Sequence, residues 1–296
     1  MGYSVRAGWA GIAGLAVALV PAAHLTSAPA CADTLRIDTP EGPRRSIVLP
    51  ARSQPAPTVI VLHGALNSAG WASWRFGFAE AAAARSFAAV FPQGIGLTWN
   101  DGRSRAAARA DDVGFLRRLV VELVEQGVAR PDRIYVAGIS NGGMMALRMV
   151  CEAADVLAGA GTVLANIPAE TGADCHPARP LPVVMFNGTA DRTVPYDGGG
   201  VSPFNHGGIV WGAERTAEFL ADVNRCSHEP VATDTLLGRT SVIRIAWSGC
   251  RRNATVTLYR INGGGHTVLG RRRILSGHAR HELSAAETIM ATFAGE

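Results

Sequence analysis

The stretch YVAGISNGGMMA, Tyr135 to Ala146, runs from an apolar segment into a Gly-x-Ser-x-Gly centre at Gly138, Ser140 and Gly142, and out into a methionine-rich apolar segment. That order reads as strand, tight turn, helix. A serine at the tip of such a turn takes unfavourable backbone angles that lift its hydroxyl clear of the main chain. Side chains two positions to either side would collide there, which suits Gly138 and Gly142. The next amide, that of Asn141, would lie at the positive end of the helix, where a developing oxyanion is stabilised. The same glycines could equally ease the start of an ordinary helix, so Ser140 needs partners elsewhere before it counts as a nucleophile.

The flanking segments set the context. TVIVLHG (58–64), FAAVFPQG (87–94) and DRIYVAGIS (132–140) have the form of strands buried on both faces of a parallel sheet. Further strands are expected at GTVLAN (161–166), LPVVMFNGT (181–189), SVIRIAWSG (241–249) and ATVTLYRING (254–263), and an opening hairpin at TLRIDT and RRSIVLP. Helices are expected over roughly 70–85, from Asp111 and Asp112 to Gly127, over 141–151, 211–224 and 283–294. Alternating strands and helices predict an α/β fold, one domain over 33–296, with a mainly parallel central sheet and helices on both faces. In such sheets the site lies at the C-terminal ends of the strands.

A serine hydroxyl becomes a nucleophile when a base takes its proton. In the α/β-hydrolase signature the acid and then the histidine follow the serine in chain order, each at a later strand end. Asp191, in GTADRTVPY, and His266, in GGGHT, occupy such places. His266 would act as general base and then acid, and Asp191 would fix its tautomer. Asp197 lies deeper in a glycine-rich loop and Asp222 within a helix, so both are worse placed. His63 also ends a strand but precedes the nucleophile, and is expected to organise a loop. The turn after it would supply a second oxyanion amide, from Ala65 or alternatively Leu66. Trp99, Asp101 and Tyr196 are candidate substrate contacts. Trp71, Trp74 and Trp211 could form an apolar rim or simply pack in the core. Asp112 is expected as a helix N-terminal charge, and Arg271 to Arg273 as a solvated surface.

Composition narrows the classes. The chain has 296 residues, 48% hydrophobic and 18% charged, as in a globular protein with a large core. Lysine is absent and the net charge is only +4, with no basic stripe interleaved with aromatics, which argues against a nucleic-acid partner. At the N-terminus Arg6 is the only charge before Asp33, and an apolar run from Trp9 to Val20 ends at Pro21. This is the layout of a signal peptide over 1–32, cleaved after Ala30 or Ala32, with no stable membrane span left afterwards and a secreted or periplasmic destination. Lipid attachment at Cys31 is disfavoured, because Ala28 stands where a bulky aliphatic would be expected. Cys151, Cys175, Cys226 and Cys250 remain as an even set, in keeping with an oxidising compartment. Four cysteines allow three pairings; the sequence-adjacent pairs are favoured without being fixed. The spacings are too wide for the short ligand pairs of structural zinc sites, and no metal or organic cofactor is expected.

Taken together, LHGALNSAGW, WNDGR, DDVGFLRRLV, YVAGISNGGMMA, GTADRTVPYDGG and GGGHT resemble the secreted polyhydroxybutyrate-depolymerase-like esterases, a group related to feruloyl and acetylxylan esterases. The resemblance extends over nearly all the chain after residue 32. It implies Ser140, Asp191 and His266 as a triad, and it supports the pairs Cys151 with Cys175 and Cys226 with Cys250. Two departures stand out: Val268, Leu269 and Gly270 where the group often carries Trp-Pro-Gly, and Asn187 where a histidine is usual. A small-molecule or oligomeric ester is the implied substrate.

Overall fold

In the computed structural model of the chain, Met1 and residues 32–103, 110–202, 207–237, 240–267 and 283–296 are described. Residues 2–31 of the expected signal segment, Cys31 among them, together with Val268 to Gly270 and Arg271 to Arg273, lie outside these residues.

The chain opens with the expected hairpin, β1 (Asp33–Thr39) and β2 (Gly42–Leu49). Then come β3 (Ala56–Leu62), α1 (Ala69–Arg75), α2 (Phe78–Ala84) and β4 (Ala88–Pro92). The middle holds α3 (Asp112–Glu125), β5 (Ala129–Ile139), α4 (Asn141–Ala153), β6 (Gly159–Val163), α5 (Ala169–Ala173) and β7 (Val183–Gly188). After a two-stranded ribbon, β8 (Gly199–Gly200) and β9 (Ile209–Val210), the chain forms α6 (Ala213–Val223), β10 (Val231–Leu237), β11 (Thr240–Trp247), β12 (Val256–Ile261) and α7 (Ala285–Ala294).

The main sheet has ten strands in the order β1-β2-β4-β3-β5-β6-β7-β12-β11-β10. The six from β4 to β12 run parallel, and both edges are antiparallel. Strands β3 and β5 show why the central runs are so apolar. Ile60, Leu62, Ile134 and Val136 face one core with α3, α4 and α6, while Val59, Val61, Tyr135, Ala137 and Ile139 face the other with α1, α2 and α7. Successive side chains of a strand point to opposite faces, so a strand covered on both sides has no polar face to spare.

The chain places β4 on one side of β3 and then crosses to place β5 on the other. Strand order therefore reverses between β3 and β5, and such a switch point leaves a crevice at the carboxyl ends. His63-Gly64 and Ser140 follow those two strands directly.

Two expectations are corrected. The single helix over 70–85 is two, broken where Gly77 takes φ +81°, the left-handed region that glycine enters without strain. Strand β10 and the five-residue α5 were not expected. The first five side chains of β10 are exposed, so this edge strand carries no buried stripe for a hydrophobic pattern to reveal. Two disulfides, Cys151–Cys175 and Cys226–Cys250, tie α4 to the segment after α5 and the segment after α6 to the segment after β11. No described helix is long and apolar enough to cross a membrane.

Candidate active site

Ser140 stands at the junction of β5 and α4 with φ 55° and ψ −122°, a strained setting for a residue with a Cβ. The neighbouring glycines are required by close approach. A Cβ on Gly138 would fall 2.1 Å from the Gly142 carbonyl oxygen, and one on Gly142 would fall 2.4 Å from the Leu62 and His63 carbonyl oxygens. The turn is pinned by its own backbone: Ser140 N–H donates to Val163 O at 2.8 Å, and Met144 N–H donates to Ser140 O at 2.9 Å.

Asp191, three residues beyond β7, and His266, five beyond β12, reach this serine. His266 Nδ1 lies 2.7 Å from Asp191 Oδ2, and Nε2 lies 3.0 Å from Ser140 Oγ. Asp191 Oδ1 accepts the amides of Thr193 at 2.8 Å and Val194 at 2.9 Å, which fixes the carboxylate and aims Oδ2 at the ring. Asp191 is acceptor-only when ionised, so Nδ1 carries the proton it donates and Nε2 is left to accept from the Ser140 hydroxyl. Ser140 and Asp191 are buried, while the His266 side chain is 26% exposed, so the cluster opens to solvent on the imidazole side. Serine, base and orienting carboxylate in this contact can move a proton off the hydroxyl as it attacks an electrophile.

The remaining candidates divide. His63 is fully buried; its Nε2 accepts the Gly94 amide at 3.0 Å, so Nδ1 carries the proton and donates to Gly64 O at 2.8 Å. Burial, helped by the Arg44 charge, pushes its pKa down to about 4, and the ring is a neutral loop clamp. After it, Leu66 takes φ 61° and gives its N–H to Leu97 O at 2.8 Å. Trp99 and Asp101 were expected as substrate contacts, but both are 0% exposed and present no surface to a ligand. Trp99 Nε1 donates to His63 O at 2.9 Å, and Asp101 is gripped by Arg103 Nη2 at 2.6 Å. Both touch Asn141 instead. The Asn141 amide group donates to Trp99 O at 3.0 Å and Asp101 Oδ2 at 2.7 Å, and its Oδ1 accepts from Thr98 Oγ1 at 3.0 Å and Trp99 N at 2.8 Å. The WNDGR segment, distant in sequence from α4, braces the first residue of that helix, a long-range contact that no local pattern carries. Asp112 is more than a helix-end charge: it is buried, pairs with Arg44 at 2.6 Å and accepts the Asn100 amide at 2.6 Å.

Tyr196 is tied up by another side chain. Its hydroxyl donates to Glu214 at 2.8 Å on the wall of a cavity of about 710 Å³, which Trp211, Arg215, Arg260 and Asn262 also line. None of Ser140, Asp191 and His266 lines that cavity, and its cations are engaged internally: Arg260 pairs with Glu214 and Arg215 lies over the Trp211 ring. Trp71 is half-buried and packs edge-on against Trp74 and Phe76, with Trp74 exposed. Among the described residues no cluster of histidine, cysteine, aspartate and glutamate could hold a metal ion.

Comparison with known proteins assigns the family. A putative esterase, NocK, of Nocardia uniformis subsp. tsuyamanensis is 31% identical over 258 residues, covering 81% of this chain and 74% of that one. The chain belongs to this esterase family, and its fold is the α/β-hydrolase fold. Feruloyl esterase B of Piromyces equi is 34% identical over 221 residues, 71% of this chain; the match spans only 39% of that longer protein. Among solved structures, an acetyl xylan esterase from Aspergillus awamori superposes with a TM-score of 0.56, covering 80% of this chain and 94% of its own at 13% identity, a likeness of fold. No protein-family model matches the chain.

Proposed function

We propose that the protein is an exported serine carboxylesterase that works through an acyl-enzyme on Ser140. The observation that carries this is the continuous chain from Asp191 Oδ2 to His266 to Ser140 Oγ, at 2.7 and 3.0 Å. Ser140 Oγ attacks the ester carbonyl carbon as its proton passes to His266 Nε2. The resulting oxyanion is held by the amides of Asn141, first residue of α4, and Ala65. An N–H at the start of a helix has no acceptor within that helix, and the Leu66 amide is already given to Leu97. The carbon–oxygen bond to the alcohol then breaks and the alcohol leaves with the proton from His266. Water, deprotonated by the same nitrogen, attacks the acyl carbon and frees the acid and Ser140. No metal or organic cofactor enters this scheme.

The substrates are small or oligomeric esters, either hydroxybutyrate oligomers or feruloyl and acetyl sugar esters; the name of the relative feruloyl esterase B supports the second group. Two disulfides support export to an oxidising compartment. The test is hydrolysis of short-chain p-nitrophenyl esters by wild type and Ser140→Ala. The wild type should turn over, and the variant should lose at least about 10⁴-fold in kcat. An inactive wild type would favour a binding protein on a hydrolase scaffold, and an active variant would mean another nucleophile.

A further inference from the structure

We propose that Thr98, Asp101 and Arg103 are positioning residues for the oxyanion amide: they hold the side chain of Asn141 so that its backbone N–H keeps its aim. This rests on the serine-esterase reading above. Four hydrogen bonds meet on the Asn141 carboxamide, from or to Thr98 Oγ1, Trp99 N, Trp99 O and Asp101 Oδ2, at 2.7 to 3.0 Å. Both protons of its nitrogen and both lone pairs of its oxygen are thereby used.

The anchor is itself anchored. Arg103 donates through Nε to both Asp101 oxygens, at 3.0 and 3.1 Å, and through Nη2 to Oδ2 at 2.6 Å. Thr171 Oγ1 holds the Asp101 carbonyl at 3.1 Å. Thr98, Asp101, Arg103 and Asn141 are all 0 to 2% exposed, so water cannot substitute for a lost partner cheaply.

The need for such a clamp lies one residue earlier. Ser140 sits at φ 55°, ψ −122°, and the direct way to relieve that strain is to rotate the peptide joining it to Asn141. Rotation would swing the Asn141 N–H away from the reacting carbonyl. The Ser140 carbonyl is restrained by Met144 N–H at 2.9 Å, and the Asn141 side chain restrains the other end of the same peptide. Preorganised donors stabilise a transition state because they need not reorient as charge develops. The hydrogen bonds of the cluster converge on the Asn141 side chain, next to the amide they are proposed to hold.

The experiment measures kcat and KM for p-nitrophenyl butyrate in wild type, Thr98→Val and Asp101→Asn, with functional sites counted by end-point titration with a fluorophosphonate. Complete loss of one oxyanion donor costs about 10²- to 10³-fold in kcat. A loosened donor should cost part of that: about ten- to a hundredfold for Asp101→Asn and about three- to tenfold for Thr98→Val, per titrated site, with KM within about twofold. A purely structural role would lower the number of titratable sites and leave kcat per site as in wild type; that result, or unchanged kcat in both variants, overturns the proposal. Thr98→Val leaves the buried ion pair intact, so it decides the matter alone should Asp101→Asn fail to fold. A wild type that neither turns over nor titrates at Ser140 would sink the esterase reading itself and this proposal with it.

Discussion

At the residue scale the site depends on hydrogen bonds whose direction is fixed. Asp191 Oδ1 is held by two backbone amides, so Oδ2 can only present itself to His266 Nδ1. Asp191→Asn should keep this shape but offer an N–H where an acceptor is needed, forcing the wrong imidazole tautomer and turning a protonated Nε2 toward Ser140. The expected loss is about 10⁴-fold in kcat with KM little changed, measured on a p-nitrophenyl ester. A loss below tenfold would remove Asp191 from the account. Ser140, Asp191 and His266 were legible in the chain because each follows an apolar strand in the right order. The fate of Trp99 and Asp101 was not legible. A polar cluster after a strand end reads alike whether it faces a ligand or props a distant helix, and only the burial of both residues separates the two.

At the element scale, the strand–turn–helix unit of β5 and α4 is built on contacts too close for a Cβ. Gly138→Ala would place a methyl 2.1 Å from the Gly142 carbonyl oxygen and 2.7 Å from the Gly143 nitrogen, all backbone atoms that cannot rotate aside. The expected cost is about 1–3 kcal/mol or more of stability, read by urea denaturation, together with loss of esterase activity as the turn opens. An unperturbed midpoint would show that the elbow is looser than these distances imply. The parallel strands were readable because both faces are buried and their runs are continuously apolar. The break at Gly77 and strand β10 were not, since a left-handed glycine is compatible with a helical pattern and an exposed edge strand has no apolar face.

At the scale of the whole molecule, the loop after β3 couples the fold to pH. His63 is neutral in the folded state, with its pKa lowered from 6.5 to about 4 by burial. The unfolded chain therefore binds the proton first as pH falls. The stability that His63 contributes is complete above about pH 6.5 and is lost progressively down to about pH 4, in all about 3 kcal/mol. Urea midpoints of wild type and His63→Gln, which does not titrate, should converge across that window; parallel curves would mean that the ring is not held neutral. The α/β architecture with its site at the strand ends was evident from strand–helix alternation, whereas the reversal of strand order between β3 and β5 that sets the crevice is a long-range property no local pattern carries. The central claim is that this crevice holds a serine made nucleophilic by His266 and Asp191. Its most direct test is peptide mapping after reaction with a fluorophosphonate: the adduct should lie on Ser140 in the wild type and form far more slowly in His266→Ala. An adduct on another residue, or none while ester hydrolysis proceeds, would contradict it.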